Sequence, residues 1–186
     1  MRKIIKKADS MIVTQELTYE KHKTQIKVVL LQEQNYFCAY TDDRISPAFA
    51  KDIEHFNPTL KSTNADNYHN WFMVSHEWNM HKGTKNAISR WLKHQPLLLI
   101  TDDSLESRIL YDGGYYFLDK IEDIEADNLL KYLLINDLGL PEERQNYIKS
   151  LKDMGFSKEK LEQYLSNNPI QVRFPRAIET EFNIKL

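Results

Sequence analysis

The sequence contains a single cysteine, Cys38, in 186 residues. That excludes an internal disulfide framework and a zinc cage built from thiolates alone, and it fits a reducing compartment. Long hydrophobic runs are also missing. None approaches the roughly 18 residues a membrane helix needs, so no membrane span is expected. Excess charge of one sign is lacking too. At a net charge of −2 the whole chain is not an electrostatic binder of nucleic acid, and any grip on a phosphate backbone must come from a local basic patch or from a partner. The basic start, Met1-Arg2-Lys3-Ile4-Ile5-Lys6-Lys7, has no long apolar segment behind it and does not read as a secretory signal. A cytoplasmic protein is expected. Internal repeats and low-complexity segments are absent from the sequence.

A hydrophobic content of 41% is enough for a real core, and the length suggests one domain over residues 1–186. The pattern predicts an extended arm over 1–13, a helix from Thr14 to Gln34, and a strand or knuckle turn at Tyr36–Thr41. Strands are expected at Lys51–Phe56 and Trp71–Val74, separated by a polar loop, then a helix from His76 to about His94 that contains Gly83. A glycine inside a helix has a cost, which suggests close approach of a ligand or backbone there. Leu97–Ile100 reads as a buried strand. Asp112-Gly113-Gly114 lies between two apolar stretches, Ser107–Tyr111 and Tyr115–Leu118, and signals a hairpin. Three helices follow, at about Ala126–Leu138, Pro141–Met154 and Ser157–Leu165. The order is mixed α+β and not alternating βαβ. Leu129, Leu130, Leu133 and Leu134 read as core, with a docking face as the alternative.

The segment from Asp52 to Lys85 carries the chemistry. It contains Asp52-Ile53-Glu54-His55-Phe56-Asn57-Pro58 and, after the loop, Asn70, Asn79 and Lys82. Hydrolysis of a phosphodiester needs an activated water and relief of charge on the leaving oxygen; a neutral histidine can supply the first and a divalent ion the second. Adjacent residues of a strand point to opposite faces, so Glu54 and His55 can serve one site only if the strand is bent or bulged there. Asn79 offers a hard oxygen suited to Mg²⁺ or Mn²⁺. Lys82, at i+3 from Asn79, shares its helix face and is placed for a phosphate. His69, His76 and His81 offer an alternative metal site; their plainer reading is polar surface. Cys38 reads as a small buried residue, and Tyr111, Tyr115 and Tyr116 as hairpin packing.

This series resembles the HNH, or ββα-metal, nuclease motif. The resemblance implies an HNH core over about 36–95, embedded in helices and followed by a helical part over about 125–186. It also implies Glu54 and Asn79 as ligands of one divalent ion (Mg²⁺ or Mn²⁺), His55 as general base, Asn70 as the residue that orients it, and Lys82 as the phosphate contact. Further stretches are similar to the Septu-type and retron-associated HNH proteins of bacterial antiphage defence: Met1-Arg2-Lys3-Ile4 with Lys6, Phe37-Cys38-Ala39-Tyr40, Ile53–Pro58, and Gln95-Pro96-Leu97-Leu98-Leu99. The similarity spans about residues 1–155 and implies an ABC- or SMC-like ATPase partner and a DNA or RNA substrate. One departure stands out. Where such proteins carry two Cys-x-x-Cys knuckles, this chain has Cys38, Thr41, Ser75 and Trp78, so no structural zinc is expected and Trp78 is expected to fill the gap by packing. The lost knuckles motivate an alternative, a catalytically silent HNH-fold subunit that binds a partner ATPase or nucleic acid.

Overall fold

The computed structural model describes every residue except Pro47, Thr84, Lys85 and Leu138, together with all side chains of the described residues but that of Lys82. The chain is mixed α+β, with helices around two small antiparallel sheets. Its buried apolar residues form one cluster that runs from Met1 to Ile184.

Of the extended arm expected over 1–13, residues 1–7 carry no regular secondary structure, with Ile4 N–H donating to the Ile100 carbonyl at 2.9 Å, while residues 11–13 are helical. The helix expected from Thr14 to Gln34 begins only at Tyr19, and a separate helical turn precedes it. Helix α1 (Met11–Thr14) is a single turn that starts under Ser10, whose hydroxyl accepts from Ile12 N–H. Glu16 then takes a left-handed φ of 51° and turns Leu17 into the core. Helix α2 (Tyr19–Glu33) follows and buries Ile26, Val29 and Leu30 at helical spacing. After it the chain makes a tight knuckle, not a strand: Asp42 N–H donates to the Cys38 carbonyl and Cys38 N–H to the Asp43 carbonyl.

Strand β1 (Lys51–His55) pairs antiparallel with β2 (Trp71–Ser75), from Lys51 opposite Ser75 to His55 opposite Trp71. Helix α2 covers β2 on one side. There the buried Gln34 amide donates to the Met73 carbonyl at 2.9 Å and accepts from Met73 N–H at 2.8 Å, completing the outer edge of that strand. Helix α3 (His76–Lys82) begins directly after β2 and packs on both strands.

The predicted helix from His76 to His94 breaks at Gly83. With φ at 82°, Gly83 ends α3, and helix α4 (Ala87–Lys93) starts afresh. A side chain there would meet nothing within 4 Å, so the glycine serves the backbone turn and not the close approach expected for it. Trp91 of α4 and Tyr132 meet Phe56 edge to face, at centroid distances of 5.4 and 6.0 Å, beneath Phe72, the cross-strand partner of Glu54.

Leu97–Ile100 is buried at Leu97, Leu98 and Ile100 but forms no strand: its backbone bonds to single partners, Leu98 N–H to the Glu125 carbonyl among them. After a one-turn helix α5 (Leu105–Arg108), strands β3 (Ile109–Asp112) and β4 (Tyr115–Leu118) make the expected hairpin. Tyr111 and Tyr116 are buried in it and Tyr115 is exposed. A side chain at Gly114 would lie 2.7 Å from the Pro141 carbonyl, so glycine is what lets this turn dock on the next helices.

Helix α6 (Ile124–Leu133) is capped by Asp123 and ended by a left-handed Leu134, short of the expected span: residues 134–137 are not helical, and Leu138 lies outside the described residues. Leu129 and Leu133 are buried, and Leu130 and Leu134 partly so, as core packing requires. Helix α7 (Leu140–Asp153) carries Pro141 in its first turn, α8 (Lys158–Asn167) is capped by Ser157, and α9 (Pro175–Phe182) closes the chain.

Candidate functional site

The β1–β2 ladder is continuous, with no extra residue in either strand. Side chains of β1 therefore alternate. Asp52 and Glu54 leave on the side covered by α3, and Ile53 and His55 on the other, where both are buried. The bulge that would turn Glu54 and His55 toward one point is not present, and the hydrogen bonds of the site residues fall into two groups.

The first group surrounds His55, which is buried. Its Nε2 lies 2.9 Å from Asp66 Oδ2, with the ring N–H direction off the oxygen. The Tyr19 ring stands edge-on at 4.7 Å and the Trp71 ring at 6.5 Å. Asp66 is itself held: its Oδ1 accepts from Asn70 Nδ2 at 2.9 Å and from Trp71 Nε1 at 2.8 Å. Asn70 also clasps the start of the loop, its Oδ1 accepting from Asn57 N–H at 2.7 Å and its Nδ2 donating to the Asn57 carbonyl at 3.1 Å. The expected partnership of Asn70 with His55 thus runs through Asp66. Burial holds the His55 imidazole below its ordinary pKa, and the Asp66 carboxylate opposes that shift without cancelling it.

The second group lies under α3. Asn79 Nδ2 donates to Asp52 Oδ2 at 3.0 Å, and His76 Nδ1 lies 2.7 Å from the same oxygen. A carboxylate only accepts, so the Asn79 amide must present its NH₂ to Asp52. The Asn79 carbonyl oxygen is left buried with no partner among the described residues. Burial would raise the Asp52 pKa, but the hydrogen bonds from Asn79 and His76 outweigh it and the net shift is downward. Glu54, two residues along the same face, is near enough to Tyr40 and Tyr132 that its charge adds to burial in pushing both phenols up.

An orphaned buried amide oxygen beside strand carboxylates suits a hard divalent cation such as Mg²⁺ or Mn²⁺, which takes oxygen ligands. Among the described residues no three His, Cys, Asp or Glu side chains form a metal cluster, and the three spare histidines stand apart in their contacts. His76 faces Asp52, His81 lies 3.9 Å from Glu77, and His69 packs beside Tyr68. The side chain of Lys82, the expected phosphate contact, lies outside what the structure describes, although its backbone ends α3.

Thr41, Ser75 and Trp78 line one cavity, and Cys38 is buried nearby in sequence as a free thiol. Trp78 is buried and donates Nε1–H to the Leu133 carbonyl at 2.9 Å, tying α3 to the end of α6.

Asp66 is the residue that sequence reasoning missed. It sits in a polar loop with no periodicity to mark it, and only its spacing of four before Asn70, which a turn can bring together, hinted at a contact. Asp52 was in view as the start of the motif but had no role. No family model, curated protein or solved structure matches the chain. No helix among the described residues is long and apolar enough to cross a membrane.

Proposed function

We propose that this chain is a metal-dependent endonuclease of the HNH type that hydrolyses phosphodiester bonds in DNA or RNA. The observation that carries the reading is the buried, unpartnered carbonyl oxygen of Asn79, on the same amide that holds Asp52. Asp52, Glu54 and Asn79 would hold one Mg²⁺ or Mn²⁺. Bound there, the ion supplies charge neutralisation for the leaving oxygen. His55, kept neutral by burial, takes the proton of the attacking water. The ββα order of β1, β2 and α3 supports an HNH core. The setting in bacterial antiphage defence, a cytoplasmic location and delivery of the substrate by an ABC- or SMC-like ATPase rest on the sequence resemblance, and the small net charge agrees with a partner supplying phosphate affinity.

The unbulged ladder favours a second reading, a silent HNH-fold subunit that binds partner or nucleic acid, because it sends Glu54 and His55 to opposite faces. A plasmid and RNA cleavage assay with Mn²⁺ separates the two. The nuclease reading expects cutting that falls by roughly 100-fold or more in His55→Ala, the usual share of a general base. Nucleic-acid binding with no cleavage, or cleavage that persists in His55→Ala, would favour the silent subunit or a contaminant over the assignment.

A further inference from the structure

We propose that Asp66 is a positioning residue for His55, selecting the imidazole tautomer that is protonated at Nε2 and so assigning proton acceptance to Nδ1. The proposal deepens the nuclease reading and rests on it for its catalytic meaning. Two N–H donors and one imidazole nitrogen converge on this one carboxylate. Oδ1 takes the Asn70 and Trp71 N–H groups, and Oδ2 is left for His55 Nε2 at 2.9 Å. The Asp66 side chain is only 7% exposed, so water does not compete freely for it. Nε2 makes no aligned hydrogen bond among the described residues, and the Asp66 carboxylate is the charged group that lies against it.

The chemistry fixes the proton's place. A carboxylate accepts and does not donate, so a neutral imidazole facing it is favoured with its proton on Nε2 and its lone pair on Nδ1. The Tyr19 and Trp71 rings flank the imidazole and oppose a flip that would exchange the two nitrogens. The clamp of Asn70 on Asn57 and Asp66 ties the carboxylate to both ends of the 57–70 loop. A loop held only for stability would need the Oδ1 contacts; the approach of Oδ2 to the one buried histidine beside the strand is what points to tautomer control.

Asp66→Asn is the discriminating variant. Its amide oxygen can still accept from Asn70 and Trp71, while its NH₂ turns a donor toward Nε2 and demands a lone pair there. Histidine-labelled protein read by imaging both ring ¹⁵N resonances at pH 8, with His55 assigned by its loss in His55→Gln, should show Nε2–H in the wild type and a switch to Nδ1–H in Asp66→Asn. The remaining histidines should not move. In the cleavage assay kcat should drop by about 100-fold or more with KM little changed, as expected when a base is held in the wrong tautomer. An Nδ1–H tautomer in the wild type, or the same tautomer in both proteins, overturns the proposal, and the wild-type spectrum alone decides this if Asp66→Asn does not fold. Wild type that shows the Nε2–H tautomer but never cleaves rejects the nuclease reading and leaves the control of the ring by Asp66 standing.

Discussion

Asn79 reaches across from α3 to hold Asp52, two residues before Glu54, and its own carbonyl oxygen stays buried without a partner among the described residues. An unpaired buried amide oxygen costs about 1–3 kcal/mol, a cost that a bound cation would remove. The expected outcome is one Mn²⁺ per chain by calorimetry or electron paramagnetic resonance. Asp52→Asn, Glu54→Gln and Asn79→Ala should each weaken it by about tenfold or more, since losses of 10- to 100-fold follow even from changes behind the direct ligands. At free Mn²⁺ near 100 times Kd the wild type should gain about 2.7 kcal/mol of stability. No binding, or equal binding in all three variants, would remove the metal from the site.

Lys6 gives a pH signature separate from the chemistry. Its ammonium bonds the Trp71 carbonyl and sits 4.3 Å from the Tyr68 ring centre and 4.0 Å from that of Phe72. The residue is partly exposed by area, yet its charged end is enclosed, and burial lowers its pKa to about 7 against a weaker pull from Glu33. In the unfolded chain the group titrates near 10.5. Between those values the unfolded state binds more protons, so stability rises with pH across that window, by at most about 1.4 kcal/mol per unit, and the penalty is fully present below it. Denaturation from pH 7 to 10 should show a shallower rise in Lys6→Met than in the wild type. Parallel curves would mean that the two ring faces hold Lys6 charged.

Trp78 is buried and ties α3 to the end of α6 through the Leu133 carbonyl. Trp78→Ala should cost about 3–5 kcal/mol for the lost volume and leave the Leu133 carbonyl without its donor. Urea unfolding measures it. A loss under 1 kcal/mol would show that α3 is held by other contacts.

At Gly83 the backbone, not space, is the constraint. With φ at 82° and nothing near a Cβ, Gly83→Ala should cost on the order of 1–3 kcal/mol. A variant as stable as the wild type would mean that α3 can continue through this position.

Local signals made much of this fold readable. β1 followed from its end at Pro58, β2 from its apolar residues, the hairpin from Gly113 and Gly114, and α7 from Pro141 in its first turn. The helix breaks at Glu16 and Gly83 did not follow. Helical periodicity runs through both positions, and what interrupts it is the burial of Leu17 in one case and a backbone turn in the other. Leu97–Ile100 read as a strand because it is apolar, but its backbone lies against Ile4 and Glu125 one bond at a time and never against a second strand.

The candidate site divides the same way. The residue types and spacings of Glu54, His55, Asn70 and Asn79 are properties of the sequence, and they were enough to name the chemistry such a set can support. Which carboxylate Asn79 holds, and that Asn70 bonds Asp66, whose other oxygen lies against His55, were decided by tertiary structure. The register of β1 against β2 sets the face of every side chain on the strand, and the closure of the 57–70 loop brings a carboxylate from a segment with no pattern of its own onto the imidazole.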